Sequence, residues 1–245
     1  MRVTLDLVPL ASDPAEDTPD VAVVFDVLRM TTTATALVAA GLRSLWVVAE
    51  VDAARREAEA RGALLFGERD GVAVPGFDGG NSPLEVRAER VAGRDAVLCT
   101  TNGSRAVAWV GPVPVLLGAV VNAAAVARRL LALAPTSVRL VCAGTEGRVS
   151  GEDAAGAASV VQALERYGAA LELDDAAQLA LRAITGAGGA EGLVVGAAHA
   201  RTLGRLGFGD DVAFAALLDS FDVVAERGSD ATAAFSAGPS AADGR

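Results

Sequence analysis

Short hydrophobic runs rich in β-branched residues alternate along the chain with alanine-rich segments of helical length. This alternation is typical of parallel strands that are each followed by a covering helix. The runs are VTLDLV from Val3, VAVVF from Val21, SLWVV from Ser44, ALLF from Ala63, DAVLC from Asp95, VPVLLG from Val113 and SVRLVC from Ser137. Because they are apolar nearly throughout, they indicate a sheet buried on both faces. We therefore predict an α/β fold with three layers, α/β/α, around a largely buried central sheet.

The strand pattern fades after Gly151, where three consecutive segments of helical length predict a helical C-terminal part. The run FDVVAER from Phe221 predicts an edge strand. From residue 228 onward the chain consists mostly of small and polar residues and has few bulky ones, which is typical of disorder. We predict one domain over residues 1–227 and a disordered tail over residues 228–245.

Composition excludes several classes of function. The chain has 245 residues and a formal net charge of -10, which repels nucleic acid and anionic membranes. It contains no signal-peptide pattern, no apolar stretch of the roughly 20 residues that span a bilayer, and only two cysteines. We expect a cytoplasmic protein, a homo-oligomer by default, with no nucleic-acid or membrane partner. His199 is the only histidine, so any metal would be held by oxygen.

The first of four polar junctions follows the run VAVVF. Asp26 comes directly after the strand, Arg29 follows it, and threonines open the next helical segment. Ligands of open α/β sheets bind outside the carboxyl ends of strands, near helix N-termini. We predict that Asp26 and Arg29 take part in catalysis and that Thr31 and Thr32 bind substrate. On this stretch alone, a turn cap with solvated threonines explains the pattern equally well.

Two further junctions carry anion-binding chemistry. A glycine-rich loop after Phe66 bears Arg69 and Asn81 before Ser-Pro starts a predicted helix, and long loops of this kind are functional or disordered. The stretch TTNGSR then joins a strand to a helix with hydroxyls, free amides and Arg105. We predict Arg105 to be catalytic. The predicted substrate-binding residues of these junctions are Arg69, Asn81, Thr100, Thr101, Asn102, Gly103 and Ser104.

The fourth junction, after SVRLVC, contains Arg148 and then the adjacent acids Glu152 and Asp153 at a helix start. Acids at this position ordinarily complement the helix dipole. Paired carboxylates near another strand-end acid are also what Mg²⁺ requires, since it prefers oxygen ligands. We predict that Asp26, Glu152 and Asp153 bind Mg²⁺ and that Arg148 binds substrate.

Arginines follow the ends of several predicted strands in a chain that is acidic overall. A phosphate monoester repels nucleophiles by its own charge and has a poor leaving group, so a catalyst must place local positive charge on it. Arginine suits oxyanions through forked hydrogen bonds. The four junctions together therefore predict a phosphatase for a small anionic substrate.

The junctions also resemble a known family, the magnesium-dependent 2-phosphosulfolactate phosphatases. The similar stretches are VVFDVLRMTTTAT, GERDGVAVPGFDGGNSPLE, TTNGSRA, CAGTEGRVSGEDAAGA and LGFGDDVAFA, in this order. The resemblance implies a three-layer α/β/α fold and hydrolysis of 2-phospho-3-sulfolactate to 3-sulfolactate and phosphate, a step toward coenzyme M. Such a substrate carries phosphate, carboxylate and sulfonate groups.

Other readings remain open from the sequence. Cys99 and Arg105 have the spacing of the cysteine phosphatases, although a small buried cysteine explains Cys99 more simply. Asp26 could attack phosphorus, but Leu28 stands where the aspartyl phosphatases have a second aspartate, so attack by water with the help of the metal is preferred. A protein that binds an anionic metabolite without turning it over is the non-enzymatic alternative.

Overall fold

The computed structural model describes residues 1–9 and 18–239. The strands are β1 Arg2–Asp6, β2 Val21–Phe25, β3 Ser44–Val48, β4 Leu64–Arg69, β5 Val72–Ala73, β6 Asp95–Cys99, β7 Val115–Gly118, β8 Ser137–Cys142, β9 Glu172–Leu173, β10 Ala225–Arg227 and β11 Ser236–Ala237. The helices are α1 Met30–Ala39, α2 Val51–Arg61, α3 Ala88–Val91, α4 Gly103–Trp109, α5 Ala123–Leu133, α6 Gly151–Arg166, α7 Asp175–Gly186, α8 Ala190–Val195, α9 Ala198–Arg205 and α10 Gly209–Ala215. All seven hydrophobic runs form strands, and the α/β class and helical C-terminal part are confirmed.

The strands divide between two sheets, whereas we predicted one central sheet. The larger sheet has the order β11-β10-β7-β2-β8-β1-β9, and the smaller has the order β3-β6-β4-β5. Within the larger sheet β7, β2, β8, β1 and β9 are parallel, and in the smaller sheet β3, β6 and β4 are parallel. Strand runs in the sequence give no indication of which strands pair, because the same apolar pattern suits either sheet.

Three apolar clusters explain why the strands are hydrophobic on both faces. In β2, Val23 and Phe25 pack toward α5 and α6, whereas Ala22 and Val24 face a second cluster. That second cluster also contains side chains of α1, α4 and the smaller sheet. A third, smaller cluster joins α2 to the other face of β4 and β6. The five residues of β2 and the first five residues of α1 are consequently almost completely inaccessible to water.

The segment after β10 connects the two sheets. β11 pairs antiparallel with β10 in the larger sheet, while Phe235 forms a bridge with Leu45 of β3 in the smaller one. Phe235 is buried. Residues 228–239, which we predicted as part of a disordered tail, thus have defined contacts because they supply partners to two sheet edges. Residues 240–245 of that predicted tail lie outside the described residues. We predicted β10 as an edge strand, but β11 pairs with it and takes the edge position.

The glycine-rich loop after Phe66 is shorter than predicted. β4 continues to Arg69 and turns back into β5, so part of the loop is a β-hairpin. The predicted helix at Ser82 is a single 3₁₀ turn, Pro83–Glu85. Proline at the first helical position fits this start, but Val86 returns to an extended backbone and ends the turn. In the described ranges no helix is both long and apolar enough to cross a membrane.

Candidate active site

A cavity of about 100 Å³ lies where the carboxyl ends of β2, β4, β6 and β8 meet, between the two sheets. Its lining residues are Asp26, Leu28, Arg29, Glu68, Gly71, Asn81, Thr101, Asn102, Thr145, Glu146, His199 and Leu203. We call the part formed by loops after strands the strand-end wall, which comprises Asp26, Leu28, Arg29, Glu68, Gly71, Asn81, Thr101, Asn102, Thr145 and Glu146. The part formed by α9, His199 and Leu203, is the helical wall. The cavity is thus built at the sheet edge where the sequence placed it.

Asp26 lies at the end of β2 and is 8% exposed. Its backbone N–H bonds to Thr31 Oγ1 at 3.2 Å, and its Oδ1 accepts a long bond from the amide of Met30 at 3.4 Å. Burial raises the pKa of Asp26 to about 6, and the Glu68 charge adds to this, while the amides of Met30 and Gly103 and the charge of Arg29 act to lower it. The first amide of α1 is therefore directed at a buried carboxylate whose pKa is raised.

Gly103 permits the close approach of the TTNGSR loop to Asp26. A Cβ atom at this position would lie 2.5 Å from Asp26 Oδ2 and 2.4 Å from Met30 Cε. Contacts this short are not tolerated, so only glycine lets the start of α4 pack against the carboxylate. The first and third junctions are thereby brought into direct contact, one from each sheet.

Arg29 lines the cavity and is held by three groups of the protein. Its Nη1 donates to Asp211 Oδ2 at 2.6 Å, its Nη2 donates to the Gly71 carbonyl at 2.6 Å, and its guanidinium stacks 4.0 Å from the centre of the Phe208 ring. The Arg29 and Asp211 side chains are each 3% exposed. Ser82 Oγ donates to the other Asp211 oxygen at 2.6 Å. The guanidinium is therefore fixed between α10 and the β4–β5 turn.

Glu68 joins two loops of the strand-end wall. Its Oε1 accepts from the amide and the hydroxyl of Thr101 at 2.9 and 3.0 Å, and its Oε2 accepts from the amide of Gly71 at 2.9 Å. Glu68 is buried. These bonds fix the loop that carries Asn102 relative to the turn that holds Arg29.

The predicted ligands Glu152 and Asp153 begin α6 and are almost inaccessible, each 2% exposed. Asp153 accepts from the amides of Val27 at 2.8 Å and Gly144 at 2.9 Å, so both of its oxygens are bonded to backbone. Burial raises the pKa of Glu152 to about 7 and that of Asp153 well above its usual range, and the charges of the neighbouring acids, including Asp26, raise both further. Glu152 Oε2 is buried without a hydrogen-bond partner.

The predicted magnesium ligands do not converge on one point. Over residues 1–9 and 18–239, no group of three or more His, Cys, Asp or Glu side chains is arranged to hold a metal ion. Asp153 is positioned to fix the turn after β2, not to face the cavity. Asp26 does line the cavity, and so does Asn81, whose Oδ1 is buried without a hydrogen-bond partner. Mg²⁺ commonly uses only one or two protein oxygens, so this donor set fits it while the predicted carboxylate triad does not form.

Three predicted site arginines, the catalytic candidate Arg105 and the substrate-binding candidates Arg69 and Arg148, lie outside the cavity lining. Arg105 and Arg148 are exposed. Arg148 closes a tight turn with Thr145 in which Glu146 and Gly147 have φ of 52° and 73°, and this turn brings Glu146 rather than Arg148 to the cavity. Arg69 donates to the carbonyls of Glu68 and Ala49 and lies 3.4 Å from the Cys99 sulfur.

Cys99 is fully buried, and burial raises the pKa of its thiol. A nucleophilic cysteine needs an accessible thiolate with a lowered pKa. The arginine beside it is Arg69 and not Arg105. The geometry therefore gives no support to the cysteine-phosphatase alternative.

The predicted hydroxyl ligands serve mostly as structural groups. Thr31 and Thr32 are fully buried, and Thr32 donates to the Val27 carbonyl at 2.7 Å. Thr100 accepts from the amide of Ser104 at 3.3 Å, and the Ser104 hydroxyl donates back to the Thr100 carbonyl. Of the predicted residues, those that line the cavity are Asp26, Arg29, Asn81, Thr101 and Asn102.

Sequence reasoning missed the residues that come from helices and tight turns. His199 and Leu203 form the helical wall, and Asp211 holds Arg29. The motif LGFGDDVAFA was recognised as a similar stretch, but no role was assigned to its acids. The paired acids of that motif were the available signal, since a buried arginine requires a buried acid as its partner.

Comparison with known proteins assigns the family. The family model for 2-phosphosulpholactate phosphatase matches residues 8–229. Proteins named probable 2-phosphosulfolactate phosphatase are similar over nearly their whole length. The one from Deinococcus radiodurans is 42% identical over 90% of both chains, and the one from Carboxydothermus hydrogenoformans is 36% identical over 92% of this chain and 93% of its own. The stretches that carry the sequence resemblance thus fall within a match of full domain length, and the chain belongs to the 2-phosphosulfolactate phosphatase family.

Proposed function

We propose that this protein is a magnesium-dependent phosphomonoesterase that hydrolyses 2-phospho-3-sulfolactate to 3-sulfolactate and phosphate. Family membership and the names of the relatives support the reaction. The position of the cavity at the carboxyl ends of four strands supports this location for the chemistry.

The observation that carries the proposal is the charge of the cavity. Asp26, Glu68 and Glu146 line it, but Arg29, the one arginine among the described residues that line it, is already paired with Asp211. A substrate with phosphate, carboxylate and sulfonate groups would meet an excess of negative charge in this site. A divalent cation resolves that conflict, because it is attracted by the carboxylates and attracts the substrate in turn.

Asp26 and the amide oxygen of Asn81 are the residues we expect to hold the ion. When bound, Mg²⁺ would supply positive charge at the phosphoryl oxygens. The raised pKa of Asp26 is consistent with this role, since a buried carboxylate without a nearby cation is costly in its charged form. Asp153, bonded to two backbone amides, would keep the turn after β2 in position beneath it.

The remaining groups of the strand-end wall would orient the substrate. The two hydrogen bonds of Arg29 use two of its five N–H donors, so the fixed guanidinium can still donate to an oxyanion. Asn102 and Thr101 present polar groups from the loop that Glu68 holds. Groups fixed in advance stabilise developing charge without reorganising during the reaction.

The experiment is a phosphate-release assay on protein dialysed against a chelator. We expect release from 2-phospho-3-sulfolactate only after Mg²⁺ is added back, and at least tenfold lower kcat/KM for 2-phospholactate, which lacks the sulfonate. A tenfold ratio corresponds to about 1.4 kcal/mol of binding at the transition state. Full activity in excess chelator would contradict the magnesium requirement.

The same assay separates catalysis from simple binding. If calorimetry detects binding of the phosphorylated acid with Mg²⁺ while no phosphate is released, the protein is a metabolite-binding protein and not a phosphatase. Cytoplasmic location, a role toward coenzyme M and a homo-oligomeric state stay predictions, and sedimentation analysis checks the last of these.

A further inference from the structure

We propose that His199 is the general base that accepts the proton of the attacking water, an inference that rests on the proposed hydrolysis. His199 lies in the helical wall, on α9, and lines the same cavity as Asp26 and Arg29. It is the only histidine of the chain. His199 therefore reaches the cavity from a helix, whereas the groups that would hold the phosphate come from loops after strands.

The backbone selects which nitrogen of the ring can accept a proton. The backbone of Leu28 acts to raise the pKa of His199, which is the direction expected when a ring N–H is directed at the Leu28 carbonyl. In the neutral ring one nitrogen carries the hydrogen and the other carries a lone pair. With one ring N–H directed at the Leu28 carbonyl, the other nitrogen would be the one that accepts the proton.

The surroundings keep the ring neutral near pH 7. Burial lowers the pKa of His199, and the neighbouring charge of Arg29 lowers it further, while Glu68 and Glu146 act in the opposite direction. On α10, which packs on α9, Asp211 is buried and its charge is paired with Arg29, whereas Asp210 is exposed. A neutral imidazole is the form that can act as a base.

The proposed step can be written with all atoms and charges balanced. The water oxygen forms a bond to phosphorus while one water proton moves to the lone-pair nitrogen of His199. The bond between phosphorus and the ester oxygen breaks, and its electron pair stays on the leaving oxygen of the organic acid. That oxygen takes a proton from solvent water, and the imidazolium later returns its proton to solvent.

Asp26 is the competing base in the cavity. Its carboxylate faces the amides of Met30 and Gly103 and is the group we expect to hold the cation. A carboxylate engaged in this way is a weaker proton acceptor. His199 has no comparable second task in the cavity, which is why we assign the proton to the ring.

The first test is the variant His199→Gln, whose amide can still donate to the Leu28 carbonyl but cannot accept the proton. The matched control on the same helix is Arg205→Gln, since Arg205 is exposed. We expect kcat for 2-phospho-3-sulfolactate to fall about 100-fold in His199→Gln, with KM changed less than threefold, and no change in the control. Added imidazole should restore part of the lost rate in His199→Gln only.

The second test needs no turnover. Because the chain has a single histidine, its imidazole gives one set of nitrogen-bound NMR signals that can be titrated without assignment. We expect a midpoint below 6.5 and one predominant neutral tautomer, as the bond to Leu28 requires. A midpoint above 6.5, or two equally populated tautomers, overturns the proposal.

The outcomes separate this inference from the proposed function. Wild-type protein that releases no phosphate from any substrate in Mg²⁺ contradicts the proposed function itself. Active wild-type protein together with His199→Gln at more than a third of its kcat overturns only the role of His199. A loss in folded His199→Gln that imidazole does not restore assigns the ring a structural role and likewise overturns the proposal.

Discussion

The strand-end wall and the helical wall of the cavity differ in how their residues are held. Asp26, Asn81 and Asn102 follow strands, and their positions depend on backbone amides and on close packing at Gly103. His199 and Leu203 come from α9, in the helical C-terminal part, and reach the cavity only through tertiary packing. Arg29 belongs to the strand-end wall. It is oriented, however, by Asp211 and Phe208, which come after α9 in the chain.

This difference suggests a division of labour between the walls. The strand-end wall would bind the phosphoryl group and its cation, while the helical region would orient Arg29 and exchange the proton. Substitutions in the two walls should therefore have different signatures.

Asp26→Asn should have the largest effect on activity. The amide removes the charge that we expect to hold Mg²⁺, so kcat/KM should fall about a thousandfold, or ~4 kcal/mol. Steady-state phosphate release in saturating Mg²⁺ measures this loss. The control Asp175→Asn changes an exposed acid at the start of α7 and should leave activity intact. Near-normal turnover in Asp26→Asn would remove the strand-end wall from the chemistry.

Asp211→Ala should show the contribution of the helical region to stability. It leaves the buried guanidinium of Arg29 without its carboxylate, which should lower the free energy of unfolding by ~3 kcal/mol and also raise KM. Asp210→Ala, one residue earlier in the first turn of α10 and exposed, should change stability by no more than about 0.5 kcal/mol. Urea denaturation of both variants gives the comparison, and equal stabilities would show that α10 does not hold Arg29.

Glu152→Gln should stabilise the metal-free protein at alkaline pH. Burial raises the folded-state pKa of Glu152 to about 7 from a usual value of 4.5, so the folded protein retains a proton that the unfolded chain has lost. Wild-type stability should therefore fall as pH rises from 4.5 to 7, and the variant should lack this part of the decrease. At pH 8 we expect a gain of ~1–2 kcal/mol over wild type, with little difference at pH 4.

The control for this measurement is Glu165→Gln, an exposed acid on the same helix, α6. Its unfolding curves in chelator should follow those of wild type at every pH. A Glu152→Gln variant that is less stable than wild type at pH 8 would contradict the prediction.

Arg105→Gln and Arg148→Gln should have the smallest effects. Both arginines are exposed and neither lines the cavity. Their charges are screened at about 0.15 M salt, so kcat/KM should change by less than roughly threefold in either variant. A loss of tenfold or more in phosphate release would instead restore the catalytic role predicted for Arg105 or the substrate-binding role predicted for Arg148.

The fold class and the sheet edge that carries the cavity could be predicted because they depend on local patterns. Asp26 and Asn102 interrupt the chain directly after hydrophobic runs, and such interruptions are visible in the sequence. The division into two sheets could not be predicted, since strand pairing is set by contacts between distant segments. Phe235 is an example, as its bridge to Leu45 joins residues far apart in the chain.

The helical wall could not be predicted for a different reason. Polar side chains are normal on the exposed face of any helix, so His199 and Asp211 do not stand out in their segments. The directions in which Arg105 and Arg148 point could not be predicted from the sequence either. A shift of one residue in a turn or helix changes which side chain faces the cavity. The contacts of Asp153 could not be predicted for the same reason. Its carboxylate accepts hydrogen bonds from two backbone amides only because the turns after β2 and β8 meet beside it.

The segment from residue 228 to 239 has a consequence for handling the protein. Its pairing with β10 and its bridge to Leu45 together cover strand edges that belong to both sheets. Deleting it would uncover rows of unpaired backbone groups, which are templates for joining one molecule to another. Shortening the chain after Arg227 should therefore promote aggregation, seen as light scattering, whereas ending it after residue 239 should leave the protein monodisperse.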